Sequence, residues 1–195
     1  MITFVLATAN PHKTEELRAL LATLDIEVLA RPYDVADVEE SSDTLEGNAL
    51  LKARAITHAS GLAAVADDTG LFVDALGGRP GVHSARYAGA HATYDDNVRK
   101  LLSELDGVPA PARTARFRTV IVVSYPNGEY FSAEGVLEGT ITVEPRGSGG
   151  FGYDPVFAPD HAAGRTLAEL SLVEKNRTSH RGLALRAMVE RLSRR

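Results

Sequence analysis

The alternation of apolar and polar positions predicts strands and helices that follow one another along most of the chain. Apolar residues fill segments 2–7 and 26–29, which is typical of short buried strands. Between them, four leucines at positions 17 to 24 recur at the spacing of one helix face, so a helix is expected there. A second apolar helix face follows, with Thr44 as its expected N-cap and Gly61 at its end.

The second half of the chain mixes helical and strand patterns. Thr93 is expected to cap a helix, and a further helix is expected to begin near Ser179. Between them, two strand-like runs, 114–125 and 129–144, are joined at Pro-Asn-Gly, a strong signal for an antiparallel hairpin. Because helices interleave with strands while the hairpin is antiparallel, we expect an α/β protein with a mixed sheet.

Composition is consistent with one globular domain over residues 1–195, since 44% of the residues are hydrophobic and 24% are charged. Cysteine is absent, which excludes disulfides, zinc–thiolate sites and thiol nucleophiles. The longest aliphatic run, 120–123, is too short to span a membrane, and the N-terminal segment predicts a buried strand rather than a signal peptide. These features favour a cytoplasmic protein without a membrane partner.

Charge is distributed unevenly along the chain. The net charge of −5 argues against nucleic acid as a partner. Residues 25–48 carry eight acidic residues and one basic residue, whereas residues 165–195 carry eight basic and three acidic residues. This asymmetry fits two solvated faces of opposite sign, or an acidic wall that holds a cation beside a basic wall that receives phosphates.

Two adjacent carboxylates, Asp67 and Asp68, interrupt an apolar stretch in "AAVADDTGLFVDAL" (63–76). Burial of an unpaired carboxylate is costly, so these residues need a compensating partner. Because side chains alternate along a strand, one aspartate is expected to face a ligand and the other to make structural hydrogen bonds. We expect a turn at Thr69-Gly70, and a capped turn is the alternative explanation for both aspartates. Strand geometry does not choose between them.

A second acidic pair, Glu39-Glu40, lies in a segment that we expect to be a loop. One carboxylate from each pair, with waters and ligand phosphates, is a usual way to hold Mg²⁺. A solvated loop explains the two glutamates equally well.

The segment "TANPHK" places Thr8, Asn10 and Lys13 where the first strand ends and the first helix begins. In α/β sheets, anions bind at this position because backbone N–H groups and the helix dipole attract them. Helix capping explains Asn10 just as well.

The glycine-rich segment "GSGGFGYDP" matches the spacing of a dinucleotide fingerprint, but the prolines that follow prevent the required helix. A ligand loop remains possible, in which Phe151 and Tyr153 offer a face to a planar base and Asp154 accepts a hydrogen bond. A plain turn with structural aromatic residues is the alternative.

Basic residues gather in "EKNRTSHRG" before and within the expected first turn of the last helix: Lys175, Arg177, His180 and Arg181. Cations at a helix N-terminus oppose the macrodipole, and an anionic or carbonyl-bearing ligand would compensate. The alternative is Ser179 as N-cap with exposed basic residues around it.

Six segments occur in an order that resembles the inosine triphosphate pyrophosphatase family over nearly the whole chain. They are "LATANPHKTEEL", "VEESSDTLEGNALLKA", "AVADDTGLFVDALGG", "PGVHSARYAG", "GGFGYDPVF" and "EKNRTSHRGLAL". The resemblance implies an elongated two-lobed α/β fold with a central mixed β-sheet flanked by helices, a cleft between the lobes, and a homodimer. It also implies Mg²⁺-dependent hydrolysis of ITP, dITP and XTP to the nucleoside monophosphate and pyrophosphate, which removes deaminated purines from the nucleotide pool.

The resemblance also implies roles for individual residues. Phosphate contacts are implied for Thr8, Asn10, Lys13 and Lys52. Asp68 is implied as proton acceptor and Mg²⁺ ligand, Glu40 as a second metal residue, and Thr69 as a substrate contact. Nucleoside contacts are implied for Phe151, Gly152, Tyr153 and Asp154. Contacts to the base and its keto group are implied for Lys175, His180 and Arg181. Two positions depart from the family pattern: Thr69 replaces a common serine and Gly47 a frequent glutamate.

Selectivity would come from the purine 6-position, where inosine and xanthine present a carbonyl acceptor and adenine an amino donor. A donor such as Lys175 would be left unpaired by adenine. Two other hypotheses stay open: a pyrophosphatase for modified pyrimidine or methylated nucleotides on a similar fold, and a nucleotide-binding module without catalysis.

Overall fold

The computed structural model describes residues 2–8, 10–21 and 26–194, which contain seven β-strands, five α-helices and several short 3₁₀ turns. The strands are β1 (Ile2–Leu6), β2 (Ile26–Leu29), β3 (Ala64–Val73), β4 (Pro80–Gly81), β5 (Thr114–Ser124), β6 (Tyr130–Ile141) and β7 (Phe157–Pro159). The helices are α1 (Pro11–Leu21), α2 (Leu45–Ser60), α3 (Tyr94–Glu104), α4 (Leu172–Thr178) and α5 (His180–Leu192).

The strands form one mixed sheet in the order β2-β1-β3-β5-β6-β7, with β4 paired to β3. Strand β1 runs parallel to β2 and to β3. The β3–β4 and β6–β7 pairs are antiparallel. The predicted α/β fold with a mixed sheet and flanking helices is confirmed.

The chain divides into two compact units. Unit 1 comprises Met1–Asp68, Thr119–Gly135 and Arg181–Arg195, and unit 2 comprises Thr69–Arg118 and Val136–His180. The chain changes unit four times: within β3 after Asp68, within β5 after Arg118, within β6 after Gly135, and after His180. That residues 1–195 form a single functional domain stays a prediction.

The core of unit 1 is built from α1, α5 and the strands. Leu17 and Leu21 of the predicted leucine face are fully buried, and they belong to one apolar cluster with Phe4 and Met188. Leu24 and the side chain of Leu20 lie outside the described residues. Strand β1 is buried, as its apolar sequence predicts.

The core of unit 2 contains the apolar face of α3, where Leu101 and Leu105 are fully buried. The rings of Phe117 and Phe157 pack against each other in the same core, with their centroids 4.7 Å apart. Thr93 forms a reciprocal capping box at the start of α3, which confirms the predicted N-cap.

Local turn chemistry fixes other element ends where the sequence predicts them. The Thr44 hydroxyl accepts a hydrogen bond from the Gly47 N–H and caps α2, and Gly61 ends this helix at φ +68°. The acidic segment 34–43 is a loop, as predicted. Strands β5 and β6 form the predicted hairpin, closed by a hydrogen bond of 2.9 Å from the Tyr125 N–H to the Glu129 carbonyl.

One sequence-based prediction of local structure is wrong. Residues 69–70 form no turn, because β3 continues through Gly70 to Val73. A Cβ at Gly70 would lie 2.6 Å from the Gly81 carbonyl oxygen, so glycine is needed here for the close approach of β4. Lys175 and Arg177 lie before the last helix, as predicted, on the separate helix α4, which a Ser171–Glu174 capping box begins.

None of the helices found in residues 2–8, 10–21 and 26–194 has both the length and the apolar character that a membrane crossing requires.

Candidate active site

Charged side chains of unit 1 form two groups of ion pairs, one around Asp67 and one around Lys52, which we together call the ionic cluster. Its members are Lys13, Glu16, Glu40, Lys52, Asp67, Asp68 and Arg181. They come from α1, the acidic loop, α2, β3 and α5. The cluster therefore unites residues that are as much as 165 positions apart in the sequence.

The two adjacent aspartates of β3 have different partners, as strand alternation predicts. Asp67 Oδ2 lies 3.1 Å from Lys13 Nζ and 3.3 Å from the Arg181 Nε. Asp68 Oδ1 lies 2.9 Å from Lys52 Nζ. Both carboxylates are buried, and these cations supply the compensation that burial requires.

The environments of the two aspartates shift their pKa values in opposite directions. Burial raises the pKa of Asp67, but attraction from Lys13 and Arg181 outweighs burial and lowers it far below the usual aspartate range. Burial also raises the pKa of Asp68, and Lys52 and Lys13 do not fully offset it, so this pKa stays above the ordinary value. Asp67 is thus a fixed anion, whereas Asp68 has the higher proton affinity that general-base chemistry uses.

Lys52 connects Asp68 to the acidic loop. Its Nζ donates to Asp68 at 2.9 Å and to Glu40 Oε1 at 3.1 Å. Burial lowers the pKa of Lys52, but the nearby carboxylates, above all Asp68, raise it by more. The pKa therefore lies above the ordinary lysine value, and the side chain stays protonated. Glu40 and Asp68 therefore both contact one cation, the Lys52 ammonium group.

Asp68 and Glu40 offer hard oxygen donors, which is the ligand chemistry that Mg²⁺ requires. In the described part of the chain, no group of three or more His, Cys, Asp or Glu side chains could hold a metal by itself. This pair fits a Mg²⁺ ion that takes its remaining ligands from water and substrate phosphates, a common arrangement in phosphate-transferring enzymes.

Sequence reasoning missed two members of this site. Asn48 is fully buried on α2, and its Nδ2 lies 3.5 Å from Asp68 Oδ2 while its Oδ1 accepts from the Ser42 N–H at 2.9 Å. Glu16 is buried on α1 and accepts a hydrogen bond from Arg181. A polar residue on an otherwise apolar helix face was the available signal for Asn48.

The segment after β1 forms a capped helix start. Asn10 Oδ1 accepts from the N–H groups of His12 at 3.0 Å and Lys13 at 3.3 Å, so the capping explanation for Asn10 is confirmed. The Asn10 N–H in turn donates to Thr8 Oγ1 at 3.2 Å. This cap holds Lys13 in the first turn of α1, and phosphate contacts by Thr8, Asn10 and Lys13 stay a prediction.

Unit 2 contains two contact groups with predicted site residues, which we together call the aromatic cluster. One consists of Lys175, Asp154 and Phe151, and the other of His180 and Phe117, which was not predicted as a site residue. Lys175 Nζ lies 2.7 Å from Asp154 Oδ2 and 4.9 Å from the centroid of the Phe151 ring. Asp154 also accepts from the Phe151 N–H at 2.8 Å, so one carboxylate fixes both the lysine and the aromatic residue.

The other residues predicted to bind the nucleoside have structural contacts. The Tyr153 ring is in the core of unit 2, and its hydroxyl donates to the Ser84 carbonyl at 2.9 Å. His180 is buried and stacks on Phe117 with ring centroids 4.6 Å apart. Gly152 has a φ of +64° in the loop, and Thr69 is half-buried on β3. Their contacts with a substrate stay predictions.

The glycine-rich loop is shaped by close packing within unit 2. A Cβ at Gly147 would lie 2.5 Å from the Ala168 carbonyl carbon, and a Cβ at Gly150 would lie 2.0 Å from Asp154 Oδ2. The Gly149 N–H donates to the Ala168 carbonyl at 3.0 Å. Gly150 therefore makes room for the Asp154 carboxylate, and Gly147 for the Ala168 backbone. The loop opens no helix, in agreement with the exclusion of a dinucleotide fingerprint.

Arg181 lies in the ionic cluster, whereas Lys175 and His180 lie in unit 2. Its side chain is 2% exposed and contacts Asp67 and Glu16. Contacts of Lys175, His180 and Arg181 with a substrate base stay a prediction.

Comparison with known proteins matches residues 4–191 to the model of the Ham1 family. A dITP/XTP pyrophosphatase of Symbiobacterium thermophilum is 50% identical over 188 residues, covering 96% of this chain and 93% of that protein. A HAM1 protein from Coxiella burnetii has a structure with a TM-score of 0.90 and 41% identity, and all of both chains is covered. A nucleoside-triphosphatase, or dITP/XTP pyrophosphatase, from Mycobacterium abscessus has a TM-score of 0.75 and 41% identity, covering 96% of this chain and 97% of its own.

Proposed function

The chain belongs to the Ham1 family, and we propose that it hydrolyses the non-standard purine nucleoside triphosphates ITP, dITP and XTP to the nucleoside monophosphate and pyrophosphate. This activity would remove deaminated purines from the nucleotide pool. Relatives named dITP/XTP pyrophosphatase that match almost the whole chain support the proposal. The observation that carries it is the pair of adjacent buried aspartates with different partners, Asp67 with Lys13 and Arg181, and Asp68 with Lys52.

Asp68 is the proposed general base. Its raised pKa makes it a better proton acceptor than an ordinary aspartate, and the contacts with Lys52 and Asn48 fix its orientation. In the proposed step, a water oxygen bonds to phosphorus, the α–β anhydride bond breaks, and pyrophosphate leaves with the bridging electron pair. The water proton passes to Asp68.

The cations of the ionic cluster are the proposed phosphate ligands. Lys13, at the capped start of α1, and Lys52 would stabilise negative charge on the phosphates, together with the N–H groups near Thr8 and Asn10. Asp68 and Glu40 would hold Mg²⁺, which supplies charge neutralisation on the phosphates when it is bound.

Base selection is assigned to the aromatic cluster. The Phe151 ring offers a face for the purine, and the Lys175 ammonium group, together with His180, offers donors for a 6-keto oxygen. Adenine carries an amino donor at that position and would leave a buried donor unpaired, which is a strong basis for rejection. The ion pair with Asp154 holds Lys175 in place.

Three further properties belong to the same proposal. We infer a homodimer and the absence of a nucleic-acid partner, supported by the family resemblance and the net charge of −5. We also infer a cytoplasmic location, supported by the absence of cysteine and by the proposed action on the nucleotide pool.

Pyrophosphate release across a nucleotide panel tests the proposal. The panel contains ITP, dITP, XTP, GTP, ATP, a modified pyrimidine triphosphate and a methylated purine triphosphate, each with and without Mg²⁺. Release is expected to be fastest with ITP, dITP and XTP and to require Mg²⁺. Equal rates with ITP, GTP and ATP would refute the selectivity, and fastest release with the modified pyrimidine or methylated nucleotide would reassign the substrate. Binding of ITP without turnover would identify a binding module.

A further inference from the structure

A second aromatic ring packs against Phe151, whose own ring is the proposed stacking face for the purine. Tyr94 and Phe151 have ring centroids 6.0 Å apart, and their ring planes are inclined at 43°. Separations of about 4.5–7 Å with offset or inclined rings are favourable for aromatic pairs. Both residues belong to unit 2, and Tyr94 takes no part in the proposed hydrolysis step.

The ring of Phe151 is carried by a loop. Each neighbour of Phe151 in the chain is a glycine with a positive φ, +72° before it and +64° after it. The Phe151 N–H donates to Asp154, and Lys175 Nζ lies 4.9 Å from the ring centroid. Packing against Tyr94 is a further restraint on the ring, and it comes from another element of unit 2.

Tyr94, in contrast, is the first residue of α3, and hydrogen bonds fix the start of this helix. The preceding residue, Thr93, forms the reciprocal capping box with Asp96. In the same turn, the Oδ1 of the buried Asn97 accepts from the Ala88 N–H at 2.7 Å, which ties the helix start to the segment before it. Tyr94 therefore presents its ring from a rigid support, as the positioning of a ligand-binding side chain requires.

The position of Tyr94 on α3 is the N-terminal end of the apolar helix face. Val98 and Leu101 follow it at i+4 and i+7, and both are buried in the core of unit 2. The tyrosine itself is 41% exposed. A ring that stays this exposed adds less to the core than its buried neighbours do, so contact with Phe151 is the better explanation of an aromatic residue here.

We propose that Tyr94 is a positioning residue that holds the Phe151 ring in the orientation in which it stacks on a purine base. The inference rests on the proposed function in taking Phe151 as a base contact. A ring that is held in place before binding loses less conformational entropy when the purine binds. The benefit therefore goes to the affinity for ligands that carry a base, and neither phosphate binding nor bond cleavage depends on it.

Kinetics with a base-bearing and a base-free ligand test this role. Tyr94→Ala is expected to raise KM for ITP by about 3- to 10-fold, because the favourable ring contact is lost. The value of kcat should stay within about twofold of the wild-type value, and calorimetry with ITP without Mg²⁺ should show the same loss of affinity. Inorganic triphosphate has no base and should inhibit ITP hydrolysis by both proteins with the same inhibition constant. Tyr94→Phe keeps the ring and should keep the wild-type KM.

A double-mutant cycle tests whether Tyr94 acts through Phe151. In a Phe151→Leu background, Tyr94→Ala should raise KM for ITP by less than about twofold, because the ring that it supports is gone. Tyr130→Ala is the matched control, since Tyr130 is also 41% exposed but begins β6 in unit 1, and it should keep the wild-type KM. Unfolding temperatures identify folded variants, and Tyr94→Leu, which is apolar but has no ring, replaces Tyr94→Ala if that variant does not fold.

A wild-type KM and a wild-type affinity for ITP in Tyr94→Ala would overturn the inference. An equal effect of Tyr94→Ala with and without Phe151 would also overturn it, as would an equal loss of affinity for inorganic triphosphate and ITP. Wild-type protein that binds ITP but does not hydrolyse it would contradict the proposed function alone, and the calorimetric comparison of the variants would still decide the inference.

Discussion

Each unit of the molecule pairs a lysine with a buried aspartate, but the residues around the two pairs differ. In unit 1, Lys52 and Asp68 belong to a network of several charged residues, and Asp68 is left with a raised pKa. In unit 2, Lys175 and Asp154 are a compact pair at 2.7 Å beside an aromatic ring, and Asp154 also accepts from a backbone N–H.

This difference indicates which pair suits catalysis and which suits recognition of the base. A network of like and unlike charges can adjust proton affinity and bind phosphates, which chemistry on a triphosphate needs. A single tight pair beside a ring fixes one donor in one direction, which recognition of a base needs. We therefore expect turnover to depend on the ionic cluster and discrimination between bases to depend on the aromatic cluster.

The largest effect is expected for Asp68→Asn, which removes the proposed base while keeping the shape of the side chain. The value of kcat should fall by about 10²- to 10⁴-fold for ITP, dITP and XTP alike. Binding of ITP should be largely retained, as measured by calorimetry. Glu39→Gln, at an exposed acidic residue of the loop, is the control for loss of a negative charge and should keep the wild-type kcat.

A large loss of discrimination between ITP and ATP in Asp68→Asn, with turnover preserved, would break the division between the clusters. It would place base selection in unit 1.

Lys175→Met should affect discrimination instead of turnover. Replacement of the ammonium donor by an apolar group of similar length should lower the ITP-over-ATP ratio of kcat/KM by about 10- to 100-fold. Arg177→Met, at an exposed position on the same short helix, is the matched control and should leave the ratio unchanged. Steady-state pyrophosphate release with both substrates measures the ratio.

Loss of Lys175 also leaves the buried Asp154 without its cation, which can destabilise a fold by about 3–5 kcal/mol. The double variant Asp154→Asn/Lys175→Met removes both charges and separates instability from lost recognition. If it regains the wild-type ratio of ITP to ATP, Lys175 is not the discriminating donor.

The helix caps and the different orientations of Asp67 and Asp68 could be predicted from the sequence because they depend on local backbone geometry. Thr44 and Thr93 indicate helix starts because each side chain accepts a hydrogen bond from the backbone N–H three residues later. The partner of Asp67 could not be predicted in this way, because Arg181 lies 114 residues further along the chain. A family resemblance placed Arg181 in a motif, but only the packing of α1, β3 and α5 shows which carboxylates it contacts.

The predicted turn at Thr69-Gly70 failed for a related reason. Glycine in a sequence indicates either a turn or a close approach, and the two are separated only by what packs against it. Here the backbone of β4 lies against Gly70, and the strand continues. The pKa difference between Asp67 and Asp68 is likewise a property of their tertiary neighbours.

Glu40→Gln should have a smaller effect that is specific to the metal. Removal of one proposed ligand charge should raise the Mg²⁺ concentration for half-maximal ITP hydrolysis by about tenfold, because Asp68 and the phosphates still hold the ion. Glu39→Gln, at the adjacent exposed residue, should keep the wild-type Mg²⁺ dependence. Titration of activity with Mg²⁺ for the three proteins decides the point.

An equal Mg²⁺ requirement in Glu40→Gln and wild-type protein would show that Glu40 does not hold the metal. The contact of Glu40 with Lys52 would then be an ion pair without a role in metal binding.

The smallest effect concerns α4, the short helix that carries Lys175. The Ser171 N–H and hydroxyl, with Arg165, lower the pKa of Glu174 to about 2, below its ordinary value of 4.5. A carboxylate with a lowered pKa stabilises the fold above pH 4.5, and this contribution is lost as the pH falls toward 2. Glu174→Gln should therefore unfold at a slightly lower temperature than the wild type at pH 7, and the difference should shrink as the pH falls through this range.

Unfolding temperatures of the two proteins between pH 2 and pH 7 measure this contribution, and Glu15→Gln, on the exposed face of α1, serves as the control. The ratio of ITP to ATP hydrolysis in Glu174→Gln at pH 7 should match that of the wild type, because the contact between Lys175 and Asp154 holds the donor without help from the cap. A lowered ratio would mean that the start of α4, rather than the buried ion pair, positions Lys175. The contrast between a fixed recognition pair in unit 2 and an adjustable network in unit 1 would then be lost.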